Sequence, residues 1–375
     1  MHSHLLALYR AVIVSFTTLY SCARTIWEKK MSSFTTNASD EAHNTTSKSP
    51  VGPQGYLNFS KEFTVFIVTA FIVIMVAAII GNTLVCTATL FSPSLRKATT
   101  SLFIVSLAVS DLLAAMLVVP FDVYVILNNG LWFHGEAACK LWTTTYLLTV
   151  PASNLTLLGL SIDRYLTLSQ PLKQFRSGKE TTKSRIVGCM TALWVYSLGF
   201  SILPMTGWTL WRFRTKSVNG SICFFNGSHL YSVLVSVLHF IVPSLAMCVV
   251  YIMIYGQIRR HTRAVRPIDS PVAHNTQANL LLQRNIRAAK RIAVIVSVFL
   301  LCWLPYSILS IIGNLCHECL LNIPQEAFYV TLMTGYLNSA LNPVLYSFNN
   351  RNFMDSYRRL FRAVRRGLGR VGSLK

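Results

Sequence analysis

The sequence predicts an all-α membrane protein: a seven-transmembrane helix bundle with a short amphipathic helix after the last span. Three observations predict it. Only 13% of the 375 residues are charged and 53% are apolar, against about 25% charged in an ordinary soluble protein. Seven stretches long enough to cross a bilayer contain no Lys, Arg or Glu. The remaining charge, formally +21, is concentrated on alternate connectors. So few charges cannot cover a soluble surface of this size, which argues against a cytosolic enzyme, a coiled coil or a disordered chain. Nucleic-acid binding would account for the basic excess but not for the apolar runs.

Crossing roughly 30 Å of hydrocarbon takes about 20 helical residues. The stretches that meet this are 63–90, 101–127, 141–162, 186–206, 230–258, 292–315 and 327–348. Turn signals between them are too sparse for a barrel, and backbone groups in lipid must be bonded within the segment, so each is a helix. Span one carries Gly81-Asn82, and span two carries Asp111 and Asp122. Spans three to seven carry Pro151, Pro204, Pro243, Pro305 and Pro343 in or near them. In a bundle, neighbouring helices and water re-satisfy the carbonyls that proline frees.

Orientation follows from the basic residues. The connectors after spans one, three and five, with the tail, hold 23 of the 34 Lys and Arg, and the opposite face holds nine. Positive-inside places the N-terminus outside and the C-terminus in the cytoplasm. The sequons at Asn37, Asn44, Asn58, Asn219 and Asn226 all fall in segments assigned to the outside. The further match at Asn154 lies within span three and is read as accidental. The chain thus divides into a glycosylated extracellular segment 1–62, a membrane domain 63–348, and an amphipathic helix with a basic tail, 349–375. Within the first part, Leu5 to Tyr20 is apolar apart from Arg10 and reads either as a signal-peptide core or as an extension ahead of a native start at Met31. The second reading is preferred.

Of the nine cysteines, Cys86, Cys189, Cys248 and Cys302 lie within spans and read as small buried residues. Cys139, at the outer end of span three, and Cys223, in the second outer loop, face an oxidising compartment, and a bridge between them ties that loop over the bundle. Cys316 and Cys319 form a Cys-x-x-Cys in the last outer loop; zinc would need a second pair of ligands, so a local disulfide is preferred. Cys22 is left over.

Asp111 is the most informative residue. A carboxylate at bilayer depth costs several kcal/mol unless it faces a wet cavity or an ion, so a functional role is its default reading. Asn82, Ser153, Asn338, Ser339 and Asn342 complete a polar cluster suited to water and a monovalent cation; the plainer alternative is a hydrogen-bonded packing cluster. Asp163-Arg164-Tyr165 stands at the inner end of span three, twenty-five residues after Cys139, or about 37 Å of helix.

These residues carry a resemblance. From about residue 60 to 362 the chain resembles a rhodopsin-like (class A) G-protein-coupled receptor. The motifs are Gly81-Asn82, Ser106-Leu107-Ala108-Val109-Ser110-Asp111, Cys139, Asp163-Arg164-Tyr165, Trp194, Pro243 with Tyr251, Cys302-Trp303-Leu304-Pro305 and Asn342-Pro343-Val344-Leu345-Tyr346. Singly each is modest; all in order, each in its own span, they are very specific. The resemblance implies a multi-pass plasma-membrane receptor with no enzymatic activity and no bound cofactor. Its partners would be a heterotrimeric G protein inside and a small-molecule or short peptide ligand outside. It implies a sodium ion as allosteric ligand at Asp111, Ser153, Asn338, Ser339 and Asn342. Phe299 and Trp303 match the switch residues under the ligand pocket. Asp163, Arg164, Tyr165, Tyr251, Asn342, Pro343 and Tyr346 match those that rearrange when the G protein docks. After span seven, Asn350 to Arg362 sets Phe353, Tyr357, Leu360 and Phe361 on one side and arginines on the other, which suits contact with membrane lipids of an anionic inner leaflet.

Spans two and seven read most like the amine-receptor branch, in Val118-Val119-Pro120-Phe121 and Leu337-Asn338-Ser339-Ala340-Leu341-Asn342-Pro343. Those receptors hold the ligand's ammonium with an Asp seven residues after the span-three cysteine, where this chain has Tyr146. The charge-assisted bond is lost there, which disfavours an ordinary monoamine. Asp122 either replaces it or is a hydrated carboxylate near the headgroups. Tyr336 stands where opsins have their retinal lysine, which disfavours light sensing. Asn285 stands where the family often has a Glu that pairs with the span-three arginine, and this predicts raised basal activity. The expected pocket lies between Asp122, Tyr146, His239, Trp303, Tyr306 and Tyr336, with Glu62, Glu136, Glu318 and Glu326 making its mouth mildly acidic. An ion-coupled transporter is the main rival class, since Asp111 and broken helices would also suit a transport path, but no internal repeat divides the seven spans into halves.

Overall fold

The computed structural model describes residues 57–169, 183–206, 222–223, 229–264, 276–315, 323–349, 353–360 and 362. Residues 1–56, Cys316, Cys319, Glu318, Asn219 and Asn226 therefore lie outside the described residues, and with them the Cys-x-x-Cys bridge and four of the five sequons. The fifth, Asn58, is exposed.

Span one is the helix Lys61–Phe91, started by Ser60, whose side chain accepts from the Phe63 N–H at 3.1 Å. Span two is Thr100–Leu117, continued after a break at Val118 by Val119–Leu127. The break follows from Pro120, which is tolerated only in the first turn of the continuing helix. Span three, Gly135–Ser169, runs the whole depth of the bundle and packs against spans two, four, five and six. Span four is Lys183–Ile202, closed by a 3-10 turn Leu203–Thr206 around Pro204. Span five is interrupted: His229–Ser236, a π-helical turn Val237–Ile241, then Val242–Ala264. Spans six and seven are Thr276–Leu315 and Gln325–Asn349, each with an internal proline. A short helix, 353–360, follows.

The first six are long and apolar enough to cross a membrane. The seventh is also 25 residues long but more polar, because it turns Asn338, Ser339 and Asn342 into the bundle. Outward surfaces are apolar, as lipid requires: Val65, Val73, Val195, Leu245 and Ile252 are all exposed.

The core is apolar above and below a polar middle layer. Two asparagines hold its broken helices to their neighbours by the same device. Proline removes the N–H that would bond the carbonyl four residues earlier. Pro343 thereby frees the Ser339 carbonyl, and Asn82 of span one donates its amide there at 2.9 Å. Pro243 frees the His239 carbonyl, and Asn154 of span three donates to it at 2.6 Å. Asn154 is fully buried, so the sequon it opens has no access to glycan addition. Span one reaches span seven this closely because residue 81 is glycine: a Cβ there would stand 2.7 Å from the Pro343 ring.

Candidate functional site

Three cavities lie on one axis through the bundle. The outer one, about 460 Å³, is the right size for a drug-like ligand. Beneath it, an annex of about 60 Å³ reaches the Trp303 indole, and deeper still about 20 Å³ of space touches Asp111.

The head of span three beside the outer cavity is braced by the first outer loop. The Cys139–Cys223 disulfide ties the second outer loop to the head of span three. Trp132 lies buried beside it, donating its indole N–H to the Gly135 carbonyl at 2.7 Å and stacking on Trp142 at 5.4 Å. Asn129 and Gly130 turn the loop with positive φ, of 51° and 87°.

Of the residues the sequence assigned to the pocket, Asp122, Tyr146, Tyr306 and Tyr336 line the outer cavity. Asp122 is buried, not hydrated at the headgroups, and its Oδ2 accepts from the Tyr336 hydroxyl at 2.7 Å. Trp303 and His239 lie instead in the annex wall. His239 is turned aside: its Nε2 is 3.1 Å from the Tyr196 hydroxyl and its ring packs edge-on against Phe200 of span four. The sequence reading missed Trp142, Ser232, Ser236 and Tyr329, which also line the outer cavity. Trp142 is one helical turn before Tyr146, so the i, i+4 stripe on span three would have found it. Ser232 and Ser236 form the same kind of stripe on span five.

At the acidic mouth, Glu136 is neutralised by Lys140 at 2.6 Å, so it offers little to a basic ligand. Glu62 is exposed at the first turn of span one.

In the middle layer Asp111 accepts from the Ser339 hydroxyl at 2.7 Å and from the Asn342 amide at 2.9 Å. Ser153 does not bond it directly but pairs with Ser110 at 2.8 Å. Ser153 and Asn338 both border the small cavity beside Asp111, and the buried Asn338 Oδ1 has no partner among the described residues. Space of about 20 Å³ admits one water or ion. A carboxylate and further oxygens around it form an all-oxygen, hard-ligand set, which fits a small monovalent cation. No group of three or more His, Cys, Asp or Glu suited to a tighter metal occurs among the described residues. Trp303 lines both this space and the annex, and Phe299 lines this space beside it. Gly335 lets the indole lie against span seven, since a Cβ there would meet its ring at 3.1 Å.

At the inner end, Arg164 bonds the neighbouring Asp163 carboxylate and donates to the Thr100 hydroxyl of span two at 2.7 Å. No bond from Arg164 to Asn285 occurs among the described residues, and the restraint on the arginine comes from span two instead of span six. Tyr251 reaches Ser161 at 3.5 Å, Tyr165 packs beside Leu168, and buried Tyr346 packs against Phe353. Phe353 is itself buried at the foot of the bundle and does not face lipid.

An outer cavity with a buried carboxylate, a polar ion-sized space below it and a restrained arginine at the far end define a ligand-gated signalling bundle of the membrane-receptor class. Residues 81–346 match the model of the 7 transmembrane receptor (rhodopsin family), and the chain belongs to that family. It is 30% identical over 311 residues to the octopamine receptor beta-2R of Chilo suppressalis, covering 76% of this chain and 77% of that one. It is 32% identical over 310 residues to the histamine H2 receptor of Cavia porcellus (81% and 82% covered). It is 30% identical over 318 residues to the human 5-hydroxytryptamine receptor 4 (80% of each). The chain is a G-protein-coupled receptor, a multi-pass membrane protein and not an enzyme.

Proposed function

We propose that this receptor binds a small organic cation in its outer cavity, with Asp122 as the counter-charge, and signals to a G protein that docks at the Arg164 end. The observation that carries the reading is the buried Asp122 carboxylate facing a cavity of about 460 Å³. A carboxylate at this depth calls for a compensating charge, and among the described residues no cation pairs with it; the Tyr336 hydroxyl donates to it at 2.7 Å. The phenol and indole rings around it suit an ammonium, which aromatic faces attract. The relatives are named as receptors for octopamine, histamine and 5-hydroxytryptamine, all amines. Because Tyr146 replaces an acid on span three, the ammonium is held from span two, so the ligand lies differently from one anchored at span three.

In this reading the receptor sits in the plasma membrane with its N-terminus outside, as the basic connectors and sequons support. A sodium ion beside Asp111 supplies positive charge to the middle layer and favours the inactive packing. Ser153, Asn338, Ser339 and Asn342 are the groups that would share it. The 353–360 helix rests on inner-leaflet lipids, with Arg358 and Arg359 exposed.

The test uses G-protein activation by membranes carrying the wild type or Asp122→Asn, with octopamine, histamine, 5-hydroxytryptamine and uncharged analogues as probes. A hydrogen-bonded charge contributes ~1.5–3 kcal/mol, so the variant should lower the potency of a protonated amine by about 10–100-fold. A response confined to uncharged compounds, or unchanged amine potency in Asp122→Asn, overturns the proposal.

A further inference from the structure

A second large cavity, of about 430 Å³, opens between spans five and six on the inner half of the bundle. It is separate from the ligand axis and faces outward: Cys248, Tyr255, Lys290 and Ser297 on its walls are all exposed. In a membrane protein that outward side meets lipid. The walls are apolar over most of their length, through Ile254, Ile258, Ala293 and Leu300. Lys290 stands at the end nearest the basic connector, just before the uncharged stretch that begins at 292. From Lys290 up to Leu300 the groove runs about 15 Å along the helix, half of the hydrocarbon core and the reach of one acyl chain.

Among the described residues no acidic group pairs with the Lys290 ammonium at its lip. Neither the helices His229–Ser236 and Val242–Ala264 of span five nor Thr276–Leu315 of span six contains an Asp or Glu. The nearest charged neighbours on these elements are themselves basic: Arg259, Arg260, Arg287 and Arg291. An uncompensated ammonium at headgroup level, heading an apolar trench one acyl chain deep, has the chemistry of a site for an acidic phospholipid. We infer that the groove between spans five and six holds an anionic phospholipid of the inner leaflet, with its phosphate on Lys290 and a chain along Ile254, Ala293 and Leu300. The inner-leaflet assignment rests on the orientation proposed above; the binding chemistry does not. Because the groove is bounded by span six, occupancy that differs between the two packings of that span would bias the receptor's equilibrium.

The experiment places the full chain in nanodiscs whose two leaflets are identical, so its outcome does not depend on which face is cytoplasmic. Trace phosphatidylserine or phosphatidylcholine with a photoreactive group on one acyl chain is cross-linked, and adducts are mapped by mass spectrometry. The expected result is about fivefold more labelling by the serine lipid at Cys248, Ser297 and Leu300, the preference one basic residue gives at a membrane surface. Labelling at Val195 and Leu198 on span four should show no such preference. Lys290→Gln should abolish the preference in the groove and leave span four unchanged. Equal labelling by the two lipids in the wild type, or a preference that survives in Lys290→Gln, overturns the inference. Lowered G-protein coupling in Lys290→Gln with unaltered labelling likewise overturns it, and assigns the lip to the G protein.

Discussion

Replacing Asn154 by Leu removes the amide that serves the carbonyl Pro243 leaves without a helical donor. The bond is short, 2.6 Å, and both residues are buried. Hydrogen bonds between membrane helices average about 0.6 kcal/mol and reach about 1.7. The upper end applies here, because the carbonyl is deeply buried and leaving it unpaired costs ~1–3 kcal/mol. Against this, the Asn154 Oδ1 has no partner among the described residues, so its removal relieves part of the loss. The expected net cost is about 1–1.5 kcal/mol, read from unfolding in mixed micelles by titration with dodecyl sulfate. The discriminating step repeats the substitution in a Pro243→Ala background, where residue 243 regains an N–H for the His239 carbonyl. There Asn154→Leu should cost close to nothing, a coupling of about 1 kcal/mol between the two positions. An equal cost in both backgrounds would refute the reasoning, because the amide would then be stabilising something other than a proline-freed carbonyl.

Other outcomes follow from the same geometry. Asp111→Asn should abolish any effect of sodium on agonist affinity, measured by radioligand displacement in sodium and in a bulky organic cation; a sodium effect that persists places the ion elsewhere. Thr100→Ala, which removes the span-two partner of Arg164, should raise agonist-free G-protein activation, while Asn285→Glu should lower it by adding a restraint from span six. Basal signalling unchanged in both would show that Arg164 is not held where the bonding puts it. Tyr336→Phe keeps the ring but removes the hydroxyl on Asp122, and should shift amine potency by about tenfold without changing surface expression.

Much of the fold was legible because the bilayer leaves so few options: each backbone polar group must be bonded within its own helix, so span length and charge-free runs suffice. Asp111, Asn338, Ser339 and Asn342 were legible for the same reason, since polar groups at that depth have to converge. The outer pocket was less so. Helix rotation decides which side chains face inward, and when both faces are apolar the periodicity of the sequence is faint, which is how Trp142 and Tyr329 were missed. His239, read as a pocket residue, lines the annex wall, and within the π turn Val237–Ile241 its ring packs toward Tyr196 and Phe200. Asn154 looked like an accidental sequon because its partner is a backbone carbonyl, and only the proline four residues after His239 marks that carbonyl as free. Phe353 was assigned to the lipid side of the last helix, whereas it closes the bundle over Tyr346. Asp122 stood open between two readings; its burial beside a cavity goes against a hydrated headgroup carboxylate, and its role toward a ligand is the proposal made above.

The claim on which the ligand assignment depends is that the charge receiving the agonist has moved from span three to span two. Transplanting it back is the direct test: agonist potencies for a protonated amine are measured on the wild type, Asp122→Asn, and Asp122→Asn with Tyr146→Asp. The account predicts loss of response in the single variant and its recovery when the carboxylate is restored on span three. An amine that activates Asp122→Asn as potently as the wild type would contradict it.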